Sequence, residues 1–144
     1  MKTRIARLMT LFVLAAGAAA CGSDSPTAPP VFVGPAELQV TDVTVGTGAT
    51  LAAGQTITFN YELWLYDPSG TDLKGTRIEG GQLTRPLTSA SLIQGWVDGL
   101  PGMKVGGIRR LLIPPSLAYG ASGSGPIPPN AWTVFDIELV AIAP

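Results

Sequence analysis

The strict alternation of apolar and polar residues between positions 55 and 66 constrains the fold of this 144-residue chain more than any other feature. The apolar members occupy every second position and are Ile57, Phe59, Tyr61, Leu63 and Leu65. A period of two residues places them on one face, which predicts a half-buried β-strand. Asp67-Pro68-Ser69-Gly70 has the composition of a turn, so a second β-segment that ends near Arg77 should follow.

Further strands are predicted at residues 38–45, with an irregularity near Asp42, and at residues 107–113 and 133–142. Residues 114–131 between the last two are rich in Pro and Gly and predict a long loop. Ordered loops of this length in a small domain are usually functional.

One short helix is predicted before residue 101. Its apolar residues, spaced i, i+3, i+4 and i+7, are Ile93, Trp96, Val97 and Leu100. Pro101-Gly102 ends it. The pattern as a whole predicts an α+β fold, a twisted antiparallel sheet of about five strands wrapped around one short α-helix. The helix must cover one face of the sheet, so Trp96 should point into the concavity.

The composition excludes several kinds of chemistry. The chain has no histidine and one cysteine, Cys21, which rules out a His-based triad, a His- or Cys-ligated metal and an intrachain disulfide. No metal and no cofactor are expected. The formal net charge is −1 and no basic stripe is present, so a nucleic acid is not expected as a partner.

The first 36 residues have the pattern of an export and anchoring segment. Residues 1–20 combine a positive start with a short apolar run, which predicts a secretory signal peptide. Cys21 follows Ala18-Ala19-Ala20 and resembles the acylated cysteine of bacterial lipoproteins, although Ala18 stands where Leu is usual. The alternative is an ordinary cleavage that leaves a free thiol.

Residues 21–36 would then be a lipidated cysteine and a Pro/Ser-rich tether, and residues 37–144 the folded domain. Gly22 after the cysteine favours the outer membrane, facing the periplasm, as the location of the anchor. The expected contact with a membrane is through the lipid alone.

Four stretches in the folded domain resemble the FKBP family of peptidyl-prolyl cis-trans isomerases. They are Gly54–Tyr61, Leu92–Trp96 with the Gly-rich residues up to Gly107, Ile113–Gly120, and Ile127–Leu139. The resemblance implies an FKBP-like sheet around a short helix, which agrees with the pattern. It also implies isomerisation of X-Pro bonds, with proline-containing polypeptides as partners and macrolides as inhibitors.

The same resemblance implies a set of site residues. Trp96 would lie under the proline ring, with Tyr61 and Phe135 as walls. The backbone N–H of Ile93, beside Leu92, would hold a substrate carbonyl. Tyr119 would donate from its hydroxyl and Ile127 would close the rim. For Trp96, Tyr61 and Phe135, packing in the core is the alternative interpretation, and for the two walls both can hold. For Tyr119 the alternative is an anchor of the loop.

The sequence departs from the family at three places. A Phe-Asp pair is usual after the turn, and the most direct register puts Leu73-Lys74 there, with Asp72 one residue away. Leu73 would supply part of the wall, and Leu83 stands where a second aromatic is usual. The loop from Tyr119 to Ile127 is one residue shorter than in common members.

The functional hypothesis is a monomeric isomerase that assists the folding of exported proteins. The alternative, favoured by Lys74 in place of a carboxylate, is a non-catalytic peptide-binding or chaperone module with a degenerate site. A structural envelope lipoprotein would leave the long loop and the pocket residues unexplained.

Overall fold

A computed structural model describes residues 28–144, which form the predicted sheet of five antiparallel strands with one short helix. The elements are β1 (Gln39–Thr44), β2 (Thr56–Tyr66), β3 (Lys74–Pro86), α1 (Gln94–Gly99), β4 (Ile108–Ile113) and β5 (Thr133–Ile142). Their order across the sheet is β1-β4-β5-β2-β3, so β1 and β3 are its edges. The expected α+β fold class is confirmed.

The predicted signal peptide, residues 1–20, and Cys21 lie outside the described residues. The described part of the predicted tether is held to the domain at its end, where the Trp132 indole N–H donates to the carbonyl of Pro35 at 2.9 Å. Residues 28–144 contain no helix of sufficient length and apolarity to cross a membrane.

Strand β2 runs through the middle of the hydrophobic core, as its alternation predicts. Ile57, Phe59 and Leu63 have no exposed surface, and Leu65 is also buried. The strand pairs with β5 on one side and with β3 on the other. Burial of these apolar side chains is the main stabilising contribution to a small domain of this kind.

Helix α1 packs directly against β4 at two glycines that face that strand. A Cβ built on Gly95 would lie 2.5 Å from the side chain of Ile113, and one on Gly99 would lie 2.8 Å from the side chain of Leu111. Side chains at these positions would therefore push the helix away from the sheet. The close approach determines how deep Trp96, between the two glycines, sits in the concavity.

Strand β3 is longer than the sequence predicts. The second β-segment was expected to end near Arg77, but β3 continues to Pro86 and pairs along the full length of β2, from Tyr66↔Lys74 to Thr56↔Pro86. Gly80-Gly81 and the terminal proline weaken the strand signal. Pairing with a long neighbouring strand overrides these local preferences.

The convex face of the sheet carries a cross-strand network of charged side chains. Lys74 lies 2.7 Å from Asp136 and 3.9 Å above the ring of Trp64, and Arg110 makes two hydrogen bonds to Asp136. Partial burial alone would raise the pKa of Asp136, but the hydrogen bonds and charges of Arg110 and Lys74 outweigh it and lower that pKa.

Arg109 connects the end of the helix to the edge strand. It is 9% exposed, and its Nη1 donates to the carbonyls of Gly99 and Pro101 at 2.9 and 3.2 Å. Its Nε and Nη2 bind the carboxylate of Asp42 in β1 at 2.6 and 3.2 Å. The last carbonyls of a helix have no partner within the helix, so the guanidinium satisfies groups that would otherwise be unpaired.

We expect Arg109→Met to lower the free energy of unfolding by about 2–3 kcal/mol, because it leaves buried carbonyls without a donor. Urea denaturation followed by circular dichroism measures the change. Arg85→Met is the matched control, since Arg85 is exposed and bonds only to the carbonyl of its neighbour Thr84. Equal losses in the two variants would contradict the capping role.

Candidate functional site

The concave face of the sheet contains a cavity of about 180 Å³ beside α1. Its lining residues come from β2, β3, β5, the segment before α1, α1 itself and the loop after β4: Tyr61, Glu79, Leu83, Ser91, Leu92, Ile93, Trp96, Tyr119 and Phe135. Side chains far apart in the sequence therefore converge at one place, which is the usual construction of a ligand site.

Trp96 forms the floor of this pocket. It is 4% exposed, and three aromatic rings from β2 and β5 pack edge-on against it, with centroids at 4.9 Å (Phe59), 5.2 Å (Phe135) and 5.6 Å (Tyr61). Edge-to-face packing fixes the orientation of the indole plane. The indole N–H is buried and has no acceptor within residues 28–144.

Tyr61 joins the aromatic cluster to the charged side of the pocket. Its hydroxyl donates to Glu79 Oε1 at 3.3 Å, which is a long and weak hydrogen bond. Burial, followed by the charge of Glu79 and this hydrogen bond, raises the pKa of Tyr61. The hydroxyl is therefore protonated and neutral at physiological pH.

Tyr119 lies in the long loop, with its hydroxyl unpaired among the described side chains and backbone groups. Burial, with smaller contributions from Glu79 and Tyr61, raises the pKa of Tyr119 to about 12. A phenol with this pKa keeps its proton at neutral pH. Tyr119 can consequently donate a hydrogen bond to a carbonyl that enters the pocket.

Backbone hydrogen bonds hold the loop that carries Tyr119. A single 3₁₀ turn spans Pro115–Leu117, and the N–H of Gly120 donates to the carbonyl of Pro115 at 2.8 Å. Gly120 has φ = 62°, which glycine adopts without strain, and its carbonyl accepts from Asn130 at 2.9 Å. The long loop is therefore a fixed scaffold, as expected for a functional loop.

Ile93 is the residue before the first turn of α1. Its carbonyl accepts the N–H of Trp96 at 3.0 Å, whereas its own N–H has no acceptor in the part of the chain that the structure describes. Leu92 next to it is fixed by a bond from its N–H to Thr88 at 3.0 Å. The pocket thus has a second donor, from the backbone, in addition to Tyr119.

The structure brings together seven of the nine pocket residues predicted from the sequence: Tyr61, Leu83, Leu92, Ile93, Trp96, Tyr119 and Phe135. Leu73 and Ile127 do not line the cavity. Leu73 is the last residue of the β2–β3 loop, where its carbonyl accepts from the N–H of Asp67, and it has φ = 64° and 37% of its surface exposed. Ile127 is 6% exposed and packs in the core, and its backbone pairs with Ser124.

Glu79 and Ser91 are the two pocket residues that the sequence analysis missed, and Glu79 is the charged one. Lys74, interpreted as the replacement of a pocket carboxylate, lies on the convex face, and Asp72 pairs there with Arg110 at 3.1 Å. Glu79 instead lies opposite Leu63 and presents its carboxylate to the pocket. No clear signal in the sequence identifies Glu79, because it lies beyond the predicted end of the second β-segment and its face follows a shift in the pairing of β2 with β3.

A larger groove of about 570 Å³ lies on the convex face, lined by residues that include Asn60, Trp64, Gln82 and Glu138. These side chains are mostly paired with one another: Gln82 donates to Asn60, and Asn60 donates to Glu138. The groove also lacks a buried aromatic floor. We therefore regard the smaller concave pocket as the candidate site.

Sequence comparison identifies relatives of the folded domain. The family model described as FKBP-type peptidyl-prolyl cis-trans isomerase matches residues 48–140. An FK506-binding protein of Neisseria meningitidis serogroup B is 38% identical over 106 residues, which are 73% of this chain and 95% of that protein. A 46 kDa FK506-binding nuclear protein of Spodoptera frugiperda is also 38% identical, over 103 residues that are 71% of this chain and only 24% of the relative.

Solved structures show the same fold. The crystal structure of a peptidyl-prolyl cis-trans isomerase from Pseudomonas syringae superimposes with a TM-score of 0.63 at 33% identity, covering 74% of this chain and 76% of that one. The structure of FkpA from Escherichia coli gives the same TM-score at 34% identity, covering 74% of this chain and 48% of that one.

The raised pKa of Tyr119 predicts a loss of stability at alkaline pH. An unfolded tyrosine has a pKa of about 10, so the unfolded chain loses this proton before the folded chain does. The contribution of Tyr119 to the free energy of unfolding is fully present below pH 10 and is lost as the pH rises to about 12. We expect urea denaturation to show that the free energy of unfolding falls over this pH range, and that it falls less for Tyr119→Phe. If the parent and Tyr119→Phe show the same pH dependence, the loss of stability does not arise from Tyr119.

Proposed function

Because the chain belongs to the FKBP-type peptidyl-prolyl cis-trans isomerase family, we propose that it catalyses the cis–trans isomerisation of X-Pro bonds in exported proteins and so assists their folding. The observation that carries this proposal is the small pocket floored by Trp96, with two unpaired hydrogen-bond donors at its edge. A proline ring would lie on the indole.

The reaction requires no nucleophile and no metal, which suits a domain without histidine or cysteine. Amide resonance opposes rotation about a peptide bond with a barrier of about 18–20 kcal/mol. In the twisted amide the conjugation is lost, so its carbonyl and nitrogen carry less charge than in the planar forms. A dry, mainly apolar pocket binds the twisted form better and thereby lowers the barrier.

The walls of the pocket exclude water from the rotating bond. Phe135 is 1% exposed, and Tyr61 and Leu83 are partly buried on the same side of the core. A cavity of about 180 Å³ is smaller than the roughly 300–1,000 Å³ of drug-sized sites. It suits a proline ring with its carbonyl, and we propose that a macrolide inhibitor would bind with only a part of the molecule inside.

The two donors would hold the client backbone while the bond rotates. The N–H of Ile93 and the hydroxyl of Tyr119 can each bind a carbonyl of the polypeptide. Fixing the chain on both sides of the rotating bond reduces the entropy that the transition state would otherwise lose. Each donor needs only to be rigid and protonated, and the backbone bonds of the loop support this for Tyr119.

The alternative of a non-catalytic binding module depended on Lys74 occupying the position of a pocket carboxylate. Lys74 is instead bound to Asp136 on the convex face, and Glu79 supplies a carboxylate at the pocket. The aromatic floor, the walls and the donors are all present. These observations favour catalysis over simple binding.

We also propose that the domain acts outside the cytoplasm as a monomer anchored through lipid on Cys21. The support is in the sequence: a signal-peptide pattern in residues 1–20, a lone cysteine directly after it and a Pro/Ser-rich tether. Clients would then be exported polypeptides that fold near the membrane surface, with the outer membrane as the proposed location.

A protease-free X-Pro isomerisation assay tests the activity, using the chain without residues 1–20 and with Cys21→Ser. We expect Tyr119→Phe to lower kcat/KM about fivefold, the effect of one lost hydrogen bond of about 1 kcal/mol. Trp96→Leu should lower it more than tenfold, because the aromatic floor is lost. Lys74→Asp should give no gain. A folded parent that does not accelerate exchange over buffer would refute the enzymatic function.

Fractionation of bacteria that express the full chain tests the anchor. We expect the parent to sediment with membranes and to be released by detergent, with an acylated Cys21 visible by mass spectrometry. Cys21→Ser should remove both properties while the isomerase activity remains. Recovery of the parent in the soluble fraction with a free thiol would contradict the proposed lipidation.

A further inference from the structure

Glu79 is a carboxylate without a cationic partner at the edge of the pocket. Most other carboxylates of the sheet are neutralised by a guanidinium or an ammonium: Asp42 by Arg109, Glu62 by Arg77, Asp72 by Arg110, and Asp136 by Lys74 and Arg110. Within residues 28–144, Glu79 takes part in no salt bridge, and its side chain accepts one long hydrogen bond from Tyr61.

The pocket contains no other formal charge. Of its nine lining residues in the described chain, Glu79 is the only acidic or basic residue, and Tyr61 and Tyr119 both retain their protons at neutral pH. An unbalanced charge beside an apolar pocket creates a negative potential over its opening. A bound client therefore meets this potential at the residues that flank its proline.

The residue before the proline is the flanking residue whose position is fixed most closely by the reaction. The bond that rotates joins the carbonyl of this residue to the proline nitrogen, so its carbonyl must lie inside the pocket with the proline ring. Its side chain begins one bond further away and must leave through the rim. Glu79 is exposed at that rim, so its carboxylate is accessible to a client side chain.

We propose that Glu79 makes this pocket selective for clients that have lysine or arginine immediately before the proline. The proposal rests on the isomerase function proposed above and adds to it the class of substrate. The basic side chain binds the carboxylate oxygen that Tyr61 leaves free, and a client with an acidic residue at that position is disfavoured by repulsion.

The exposure of Glu79 limits the size of the effect. Solvent-exposed ion pairs contribute little, so we expect a preference of about two- to fivefold in kcat/KM for a basic residue over a neutral one of the same length. The preference should diminish as salt is raised from about 0.01 M to about 1 M, since the screening length falls from about 30 Å to about 3 Å.

The experiment compares peptides that differ only in the residue before proline: lysine, norleucine and glutamate. Norleucine has the same chain length as lysine without the charge, so the lysine-to-norleucine ratio isolates the electrostatic contribution. Both quantities are measured on residues 21–144. The isomerisation rate comes from the X-Pro assay, and the affinity comes from the change in fluorescence when the peptide binds.

Three variants assign the preference to one side chain. Glu79→Gln keeps an acceptor for Tyr61 and removes the charge, so the lysine-to-norleucine ratio should fall to about one. A change in overall activity affects both peptides alike and cancels in this ratio. Glu79→Lys should favour the glutamate peptide. Glu62→Gln is the matched control, because it removes one carboxylate from the opposite face of the same sheet, and its ratio should equal that of the parent.

A parent ratio near one, or a ratio that Glu79→Gln leaves unchanged, overturns the proposal even if the isomerase activity is intact. An equal loss of preference in Glu62→Gln also overturns it, since the effect would then arise from net charge. If no peptide is isomerised, the proposed activity fails by itself, and the lysine-to-norleucine ratio of affinities still decides whether Glu79 selects basic clients.

Discussion

The edge-on packing of Trp96 against rings of β2 and β5 is the interaction on which the rest of the structure depends. It requires the sheet to curve around α1 and the helix to lie close to β4, which Gly95 permits because it has no side chain. Arg109 satisfies the carbonyls at the end of the helix and ties that end to β1. The floor of the pocket is therefore part of the hydrophobic core, so fold stability and catalytic geometry rest on the same contacts.

The two faces of the sheet separate apolar from charged groups, and this separation gives the pocket mainly apolar walls. On the convex face, Lys74 and Arg110 pair with Asp136, and Arg110 also pairs with Asp72. On the concave face, the alternate residues of the same strands form the core and the pocket walls. In the proposed mechanism, such an environment would stabilise a transition state that has lost amide polarity, without any ionised catalyst. The exception is Glu79, which is placed at the edge of the pocket and can act on the client without polarising the floor.

The register of one hairpin accounts for the differences between prediction and structure at Leu73, Lys74 and Glu79. Residues within regular elements, such as Tyr61, Trp96 and Phe135, lie in the pocket because periodicity fixes the face on which they occur. Leu73 and Lys74 lie at a turn, where two residues with positive φ redirect the chain and move Lys74 to the convex face. Glu79 follows a shift in the pairing of β2 with β3, and a shift of one residue changes the face of every side chain beyond it. A bulge of this kind has no clear signature in a single sequence.

The sequence by itself determined the class of fold, the central strand and its inward face, the helix with Trp96 and the absence of histidine and thiol chemistry from the domain. These properties follow from composition and from periods of two and 3.6 residues, which are local. Only the tertiary structure decided the length of β3, the positions of Leu73 and Ile127 and the presence of Glu79 in the pocket. They depend on pairing between strands and on packing against the core, where the partner of each residue is distant along the chain and cannot be inferred from its neighbours.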